Sequence, residues 1–243
     1  MSTFDHSTPS EAQTRFELAA LYRLIAHFKM TDLIDTHISA RVPGTKDQFL
    51  INRYGTLFHE VQPEDLVKID PNGQQIDSLR DAGEVNVAGF TIHSAIHMAR
   101  HDLECVIHTH TADGIAVACH PQGLLPISQH ALKFYGRIGY HPYEGIAFDL
   151  GERERLVQSL GHHSVMVLQN HGLLAAGRTI AEAFLNIYFL ERACQAQSRT
   201  LAACPTPIIP HEAVRQRTAD QFHREEGVEH AQKVWQAALR LVS

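Results

Sequence analysis

Cys105-Val-Ile-His-Thr-His110 joins a short apolar run to two histidines spaced i and i+2. Cys105, Val106 and Ile107 form the kind of run that makes a buried strand. Side chains alternate along a strand, so His108 and His110 point the same way where that strand runs out. Two imidazoles on one face can share one metal ion. A third candidate lies downstream in Val165-Met-Val-Leu-Gln-Asn-His171-Gly, another buried-looking strand that ends at a histidine. Three neutral imidazoles suit zinc, iron, copper or nickel and leave a position open for water or substrate. The chain carries 18 histidines, so a His-x-His pair also arises by chance, and spacing alone leaves both readings open.

Around these two strands the pattern is that of a mixed α/β chain. Ser10 to about Phe28 reads as an amphipathic helix. Thr36–Arg41 and Gln48–Ile51 read as strands joined by a Pro43-Gly44 turn, and Leu66–Asp70 as a third, closed by Pro71-Asn-Gly73. Asn86 to Arg100 is helical and carries His93, His97 and His101 on one stripe. That stripe is a competing ligand set; a solvated helix face accommodates it too, and His93 is read as supporting the site rather than binding metal. Thr111 caps a short helix to about Cys119. Leu124–Ile127 is extended, and Gly139-Tyr-His-Pro-Tyr-Glu-Gly145 reads as a loop, functional or a plain surface turn. Gly151–Leu160 is a helix, Gly172–Gly177 the hairpin partner of Val165–Leu168, and Thr179 caps a long helix to about Ala203. After three prolines a last helix, about His211 to Leu241, breaks near Gly227. No repeat, low-complexity tract or linker divides the chain, so residues 1–243 read as one α/β domain.

Composition narrows the function. A net charge of −6 with scattered basic residues carries no nucleic-acid footprint. No apolar run approaches the length of a membrane span, and the first residues lack a signal-peptide pattern. The four cysteines show no paired spacing and read as reduced, buried thiols, which places the protein in the cytoplasm.

Taken together, Ala88-Gly-Phe-Thr-Ile-His93, Cys105-Val-Ile-His-Thr-His110, Leu124-Leu-Pro-Ile-Ser128, Tyr140-His-Pro-Tyr-Glu-Gly145 and Asn170-His-Gly-Leu173 resemble the class II aldolase/adducin family over about residues 15–205. The resemblance implies a three-layer αβα fold with a central, mostly antiparallel sheet, followed here by a helical extension over about residues 211–241. It also implies a homo-oligomer, a tetramer first, with active sites at subunit boundaries. In the metal-dependent members the matching histidines, here His108, His110 and His171, bind a divalent ion. Zinc is the first expectation, with Fe(II), Mn(II) or Co(II) as alternatives.

Departures from the family refine that expectation. The sugar-phosphate aldolases carry Ser-Ser-Glu where this chain has Val87, Ala88 and Gly89, so the proton-moving glutamate is missing. Their phosphate-gripping Gly-Asn and Thr-Gly are Thr36-His37 and Tyr54-Gly55 here. An aldolase of phosphorylated sugars is therefore not expected. Proton traffic falls to Tyr140, His141, Tyr143 or Glu144, or to His37, and His37, Gly55 and His130 are the candidate substrate-binding positions. The leading expectation is a metal-dependent lyase acting on a small unphosphorylated oxygenated acid or carbonyl compound. The alternatives are a non-catalytic, adducin-like scaffold, for which actin would be the partner, and a mononuclear iron oxygenase. The adducin-like branch is the nearest in pattern, but this chain keeps all three histidines and lacks the long basic tail of adducins.

Overall fold

The computed structural model describes residues 9–77, 84–145, 151–225 and 227–242. The first helix, α1 (Glu11–His27), starts where Ser10 accepts a hydrogen bond from the Gln13 amide and stops at Phe28. Its inner face buries Leu18, Leu21, Leu24 and Ile25. Tyr22, fully buried, is a junction: its hydroxyl accepts from the Ile38 and Asn52 amides at 2.9 and 3.1 Å. It thereby ties α1 to the strands β1 (Ile38–Arg41) and β2 (Phe49–Asn52).

Six more strands complete the sheet: β3 (Leu66–Ile69), β4 (Gln75–Asp77), β5 (Cys105–Thr109), β6 (Gly139–His141), β7 (Val165–Leu168) and β8 (Gly172–Gly177). Their spatial order is β4-β3-β2-β1-β5-β8-β7-β6. Every neighbouring pair is antiparallel except β6 with β7, so the sheet is mixed and mostly antiparallel, as the resemblance implies.

Strand alternation divides the core between two faces. Ile38 pairs with Ile107, and Ser39 with Val106. Ile38, Ala40, Cys105, Ile107, Leu173 and Ala175 face one layer, which holds α1, α6 (Ile180–Ala203) and α8 (Val228–Leu239). Trp235 of α8 is fully buried there, 5.8 Å edge-on from Phe184. Val106, Leu174 and Ala176 face the other layer, where α2 (Val87–Ala99) contributes Ile92 and Ile96 and α5 (Glu152–Leu160) contributes Leu156 and Leu160. Truncating a buried leucine in either layer costs roughly 2–5 kcal/mol. The remaining helices are α3 (Ala112–Ala118), capped by Thr111, α4 (Gln129–Lys133) and α7 (Glu212–Glu225).

Several local expectations change. The segment after Arg137 is not a loop throughout: Gly139–His141 pairs in parallel with β7 as an edge strand. The break expected near Gly227 is there, and it divides the last helix into α7 and α8. His93 and His97 do not lie on a solvated face; both are fully buried against the sheet. The reason is the register: α2 packs over Ser39, whose hydroxyl lies 2.7 Å from His93 Nδ1 and 2.8 Å from His97 Nε2. Cys105 and Cys194 are buried thiols, but Cys119 and Cys204 are exposed. Among the described residues no helix is long and apolar enough to cross a membrane.

Candidate metal centre

The antiparallel β5–β8 pair builds the centre. His108 sits in β5 opposite Leu174, and His110 follows two residues later, just beyond the strand. His171 comes from the tight turn between β7 and β8, where Asn170 takes φ 57°. Asparagine tolerates that left-handed conformation better than other side chains do. Gly172 is required next: a Cβ there would lie 2.3 Å from the Thr109 carbonyl oxygen. That close approach puts His171 against the end of β5.

The three Nε2 atoms converge. His110 Nε2 is 2.8 Å from His108 Nε2 and 2.9 Å from His171 Nε2, and the His108–His171 separation is 3.3 Å. Among the described residues this is the group of histidines, cysteines and carboxylates with metal-holding geometry; His93, His97 and His101 form no such group. The far nitrogens decide what the near ones can do. His108 Nδ1 donates to the Leu173 carbonyl at 2.9 Å, and His110 Nδ1 lies 3.1 Å from Asp32 Oδ2. A carbonyl or carboxylate only accepts, so both Nδ1 atoms carry the proton and both Nε2 atoms present lone pairs. Two lone pairs facing each other at 2.8 Å repel, and a cation between them removes the repulsion. Tetrahedral zinc at 2.0–2.1 Å places its nitrogens roughly 3.3 Å apart. The donor set therefore fits a divalent ion.

Electrostatics favours the neutral form of two of the ligands. Burial, with the neighbouring histidines, holds His108 well below its ordinary pKa. Burial first, then His110 and His141, brings His171 down to about 4. Neutral imidazole is the form that binds metal.

The turn before β1 supplies the support. Lys29, Leu33 and Thr36 all have positive φ (58°, 48° and 75°), and Asp35 donates its amide to Asp32 O at 2.8 Å. For a β-branched threonine this is strained backbone, which persists only where surrounding contacts impose it. It delivers Asp32 behind His110 and His37 beside His108.

The other candidate residues separate. His37 is buried, its ring 6.3 Å from that of His108 and 5.0 Å from that of His93. Tyr143, half exposed, has its ring 6.4 Å from His171. Tyr140 turns away, its hydroxyl accepting from the Leu124 amide at 3.1 Å. His141 is buried and engaged by Ser159 Oγ at 3.0 Å and Glu152 Oε1 at 3.4 Å. Glu144 is held by Arg155, with Arg155 Nε donating to both carboxylate oxygens. Gly55 occupies a turn at φ 86°, and His130 packs its ring 5.2 Å from Phe189 on α6. Gly89 lies in the first turn of α2, and the surroundings of Val87, Ala88 and Gly89 fall outside the described residues. Sequence reasoning missed Asp32 and Ser39, single polar residues without a motif around them.

The Class II Aldolase and Adducin N-terminal domain family model matches residues 16–198. The chain is 52% identical, over 77% of its length and 71% of the relative's, to a Pseudomonas aeruginosa protein assigned to aldolase class 2. It is 43% identical to rat alpha-adducin over 81% of its own length, but spans only 27% of the adducin. Among solved structures, an aldolase II superfamily protein from Pseudomonas syringae superposes with a TM-score of 0.92 at 47% identity, covering 98% of this chain and 95% of that one. The L-fuculose 1-phosphate aldolase from Glaciozyma antarctica superposes with a TM-score of 0.84 at 28% identity, covering 95% and 90%.

Proposed function

The chain belongs to the class II aldolase and adducin family, and from that premise we propose that it is a metal-dependent lyase, of aldolase or decarboxylase type. Its substrate is a small unphosphorylated oxygenated acid or carbonyl compound. The observation that carries this reading is the convergence of three Nε2 atoms within 2.8–3.3 Å, two of them with lone pairs fixed by Leu173 O and Asp32. His108, His110 and His171 would hold a divalent ion, zinc first and Fe(II), Mn(II) or Co(II) as alternatives. Such an ion supplies Lewis-acid polarisation of substrate oxygens.

The rest falls to the chain's own side chains. Gly89 has no group to move a proton. Of the five sequence candidates for that task, Tyr143 stands against His171 with its ring free of the networks that occupy His141 and Glu144. Its phenolic oxygen is the group we assign to give and take the substrate proton. His37, buried beside His108, orients the substrate's polar end. The absence of the aldolases' phosphate-gripping residues at Thr36-His37 and Tyr54-Gly55 supports an unphosphorylated substrate. We further propose one domain over residues 1–243, a homotetramer and a cytoplasmic location.

A second reading, a non-catalytic scaffold, is favoured by the 43% identity to alpha-adducin. The three-histidine group weighs against it, since a scaffold has no use for an open metal position. Elemental analysis of protein purified without added metal tests the choice. One ion per chain, lost in His108→Ala, supports the enzyme; no ion supports the scaffold. Turnover in air and under argon then separates lyase from oxygenase chemistry.

A further inference from the structure

Beside His110 lies a cleft of about 460 Å³. One wall is the end of α1 and the turn after it, with His27, Phe28, Lys29 and Thr31; the other is a face of α6. Arg192, Gln195 and Arg199 stand at i, i+3 and i+7 of α6, so all three look into the same space.

This wall is held rigid by its own contacts. Thr111, next in sequence to His110, donates to Glu191 Oε2 at 2.6 Å. Gln195 Nε2 donates to Glu191 Oε1 at 2.8 Å, and Arg192 Nη1 donates to Gln195 Oε1 at 2.8 Å. The Arg192 guanidinium also lies over the rings of Tyr188 and Phe28, 5.0 and 5.9 Å from their centroids. Its Nε is buried and, among the described residues, has no acceptor. No carboxylate among the described residues forms an ion pair with Lys29, Arg192 or Arg199, in contrast to Glu144 with Arg155. Of the two acids in the cleft, Glu191 has both oxygens occupied by the wall itself, and Asp113 remains. Three cations, Lys29, Arg192 and Arg199, thus meet two acids, Glu191 and Asp113, beside a candidate metal ligand.

We propose that this cleft binds a second, distal carboxylate of the substrate, with Arg192 and Arg199 as its principal partners and Lys29 at the mouth. The substrate is then a hydroxy- or oxo-dicarboxylic acid: one end would be held at the three-histidine centre, and the other end is read by α6. A planar guanidinium fixed by stacking suits a carboxylate, which accepts two parallel N–H bonds. This placement rests on the metal-centre reading and adds to it a side of the site, α1–α6, that is separate from the Thr36-His37 and Tyr54-Gly55 positions.

The test uses the full chain loaded with zinc and three probes measured by calorimetry: glycolate, malate and 2-hydroxyglutarate. All three carry the chelating hydroxy acid; only the last two carry a second carboxylate. Either dicarboxylate should bind at least tenfold tighter than glycolate. Arg199→Gln, at an exposed position, should reduce that advantage to threefold or less while leaving glycolate binding as it was. Arg192→Gln should do the same, and its melting temperature shows whether loss of the ring contacts has disturbed the fold. Equal binding of all three acids, or an advantage that survives in Arg199→Gln, overturns the dicarboxylate assignment and leaves the metal centre standing. If zinc does not bind to the chain, the metal-centre reading fails and takes this inference with it.

Discussion

Asp32 Oδ2 lies 3.1 Å from Nδ1 of His110, a contact between residues 78 positions apart. It fixes the imidazole so that Nε2, not Nδ1, faces His108 and His171. Carboxylates placed this way behind a metal-binding histidine set its tautomer and raise its basicity. Asp32→Asn should therefore lower zinc affinity by about 10- to 100-fold in competition with a chromogenic chelator. The melting temperature of the metal-free protein should hardly move, because the Asp32 side chain is 48% exposed. An unchanged affinity would mean the contact is incidental.

Metal removal separates a catalytic ion from a structural one. The three histidines stand at strand ends, outside the apolar clusters that hold the two layers together. His110→Ala should weaken zinc binding by more than a hundredfold, since two imidazoles hold a divalent ion poorly. Stripping the ion with a chelator should leave the far-ultraviolet circular dichroism intact and lower the melting temperature only by the lost binding energy. Collapse of the fold on chelation would contradict the enzyme reading.

Tyr143→Phe tests the proton-moving assignment. The substitution keeps the ring near His171 and removes only the hydroxyl. We expect kcat to fall by about 10²–10⁴ with zinc content unchanged. Tyr140→Phe serves as the contrast, because its hydroxyl is committed to the Leu124 amide, and its kcat should stay within about threefold of wild type.

The buried pair on α2 gives the protein an acid-sensitive fold. Burial, aided by the Arg41 charge, holds His97 down to about 3, and burial with His37 and His97 holds His93 well below its usual value. In the unfolded chain both take up a proton near pH 6.5. Stability is thus fully present above pH 6.5 and declines as pH falls below it, because the unfolded state gains protons that the folded state refuses. Each histidine contributes about 1.4 kcal/mol per pH unit to that decline. Urea unfolding of the metal-free protein between pH 7 and 4 should show it, and His97→Gln should flatten the slope by about one proton. Equal slopes would mean His97 is charged in the fold.

Much of this arrangement was legible in the chain because its pieces are local. The His-x-His strand, the Val165–Gly177 hairpin and the Ser10, Thr111 and Thr179 caps each announce themselves within a few residues. What escaped reading depends on distant partners. The β4 strand, Gln75-Ile-Asp77, has a single apolar residue and is a strand only because β3 offers an edge. His93 and His97 look like a solvated stripe until Ser39 is seen beneath them. Asp32 sits in a turn with no periodicity, and nothing in its neighbours points to His110. The Gly139–Gly145 segment reads as a loop because its glycines, proline and polar residues mask a three-residue strand whose pairing comes from β7.

The Ser39 hydroxyl between two imidazoles carries a directional consequence. One hydroxyl has one proton and two lone pairs, so it can donate to at most one of His93 Nδ1 and His97 Nε2, and a ring to which it does not donate must donate to it. At least one of the two facing nitrogens therefore bears its proton. The sheet and α2 can thus close over Ser39 with one N–H or two aimed at its oxygen, but never with none.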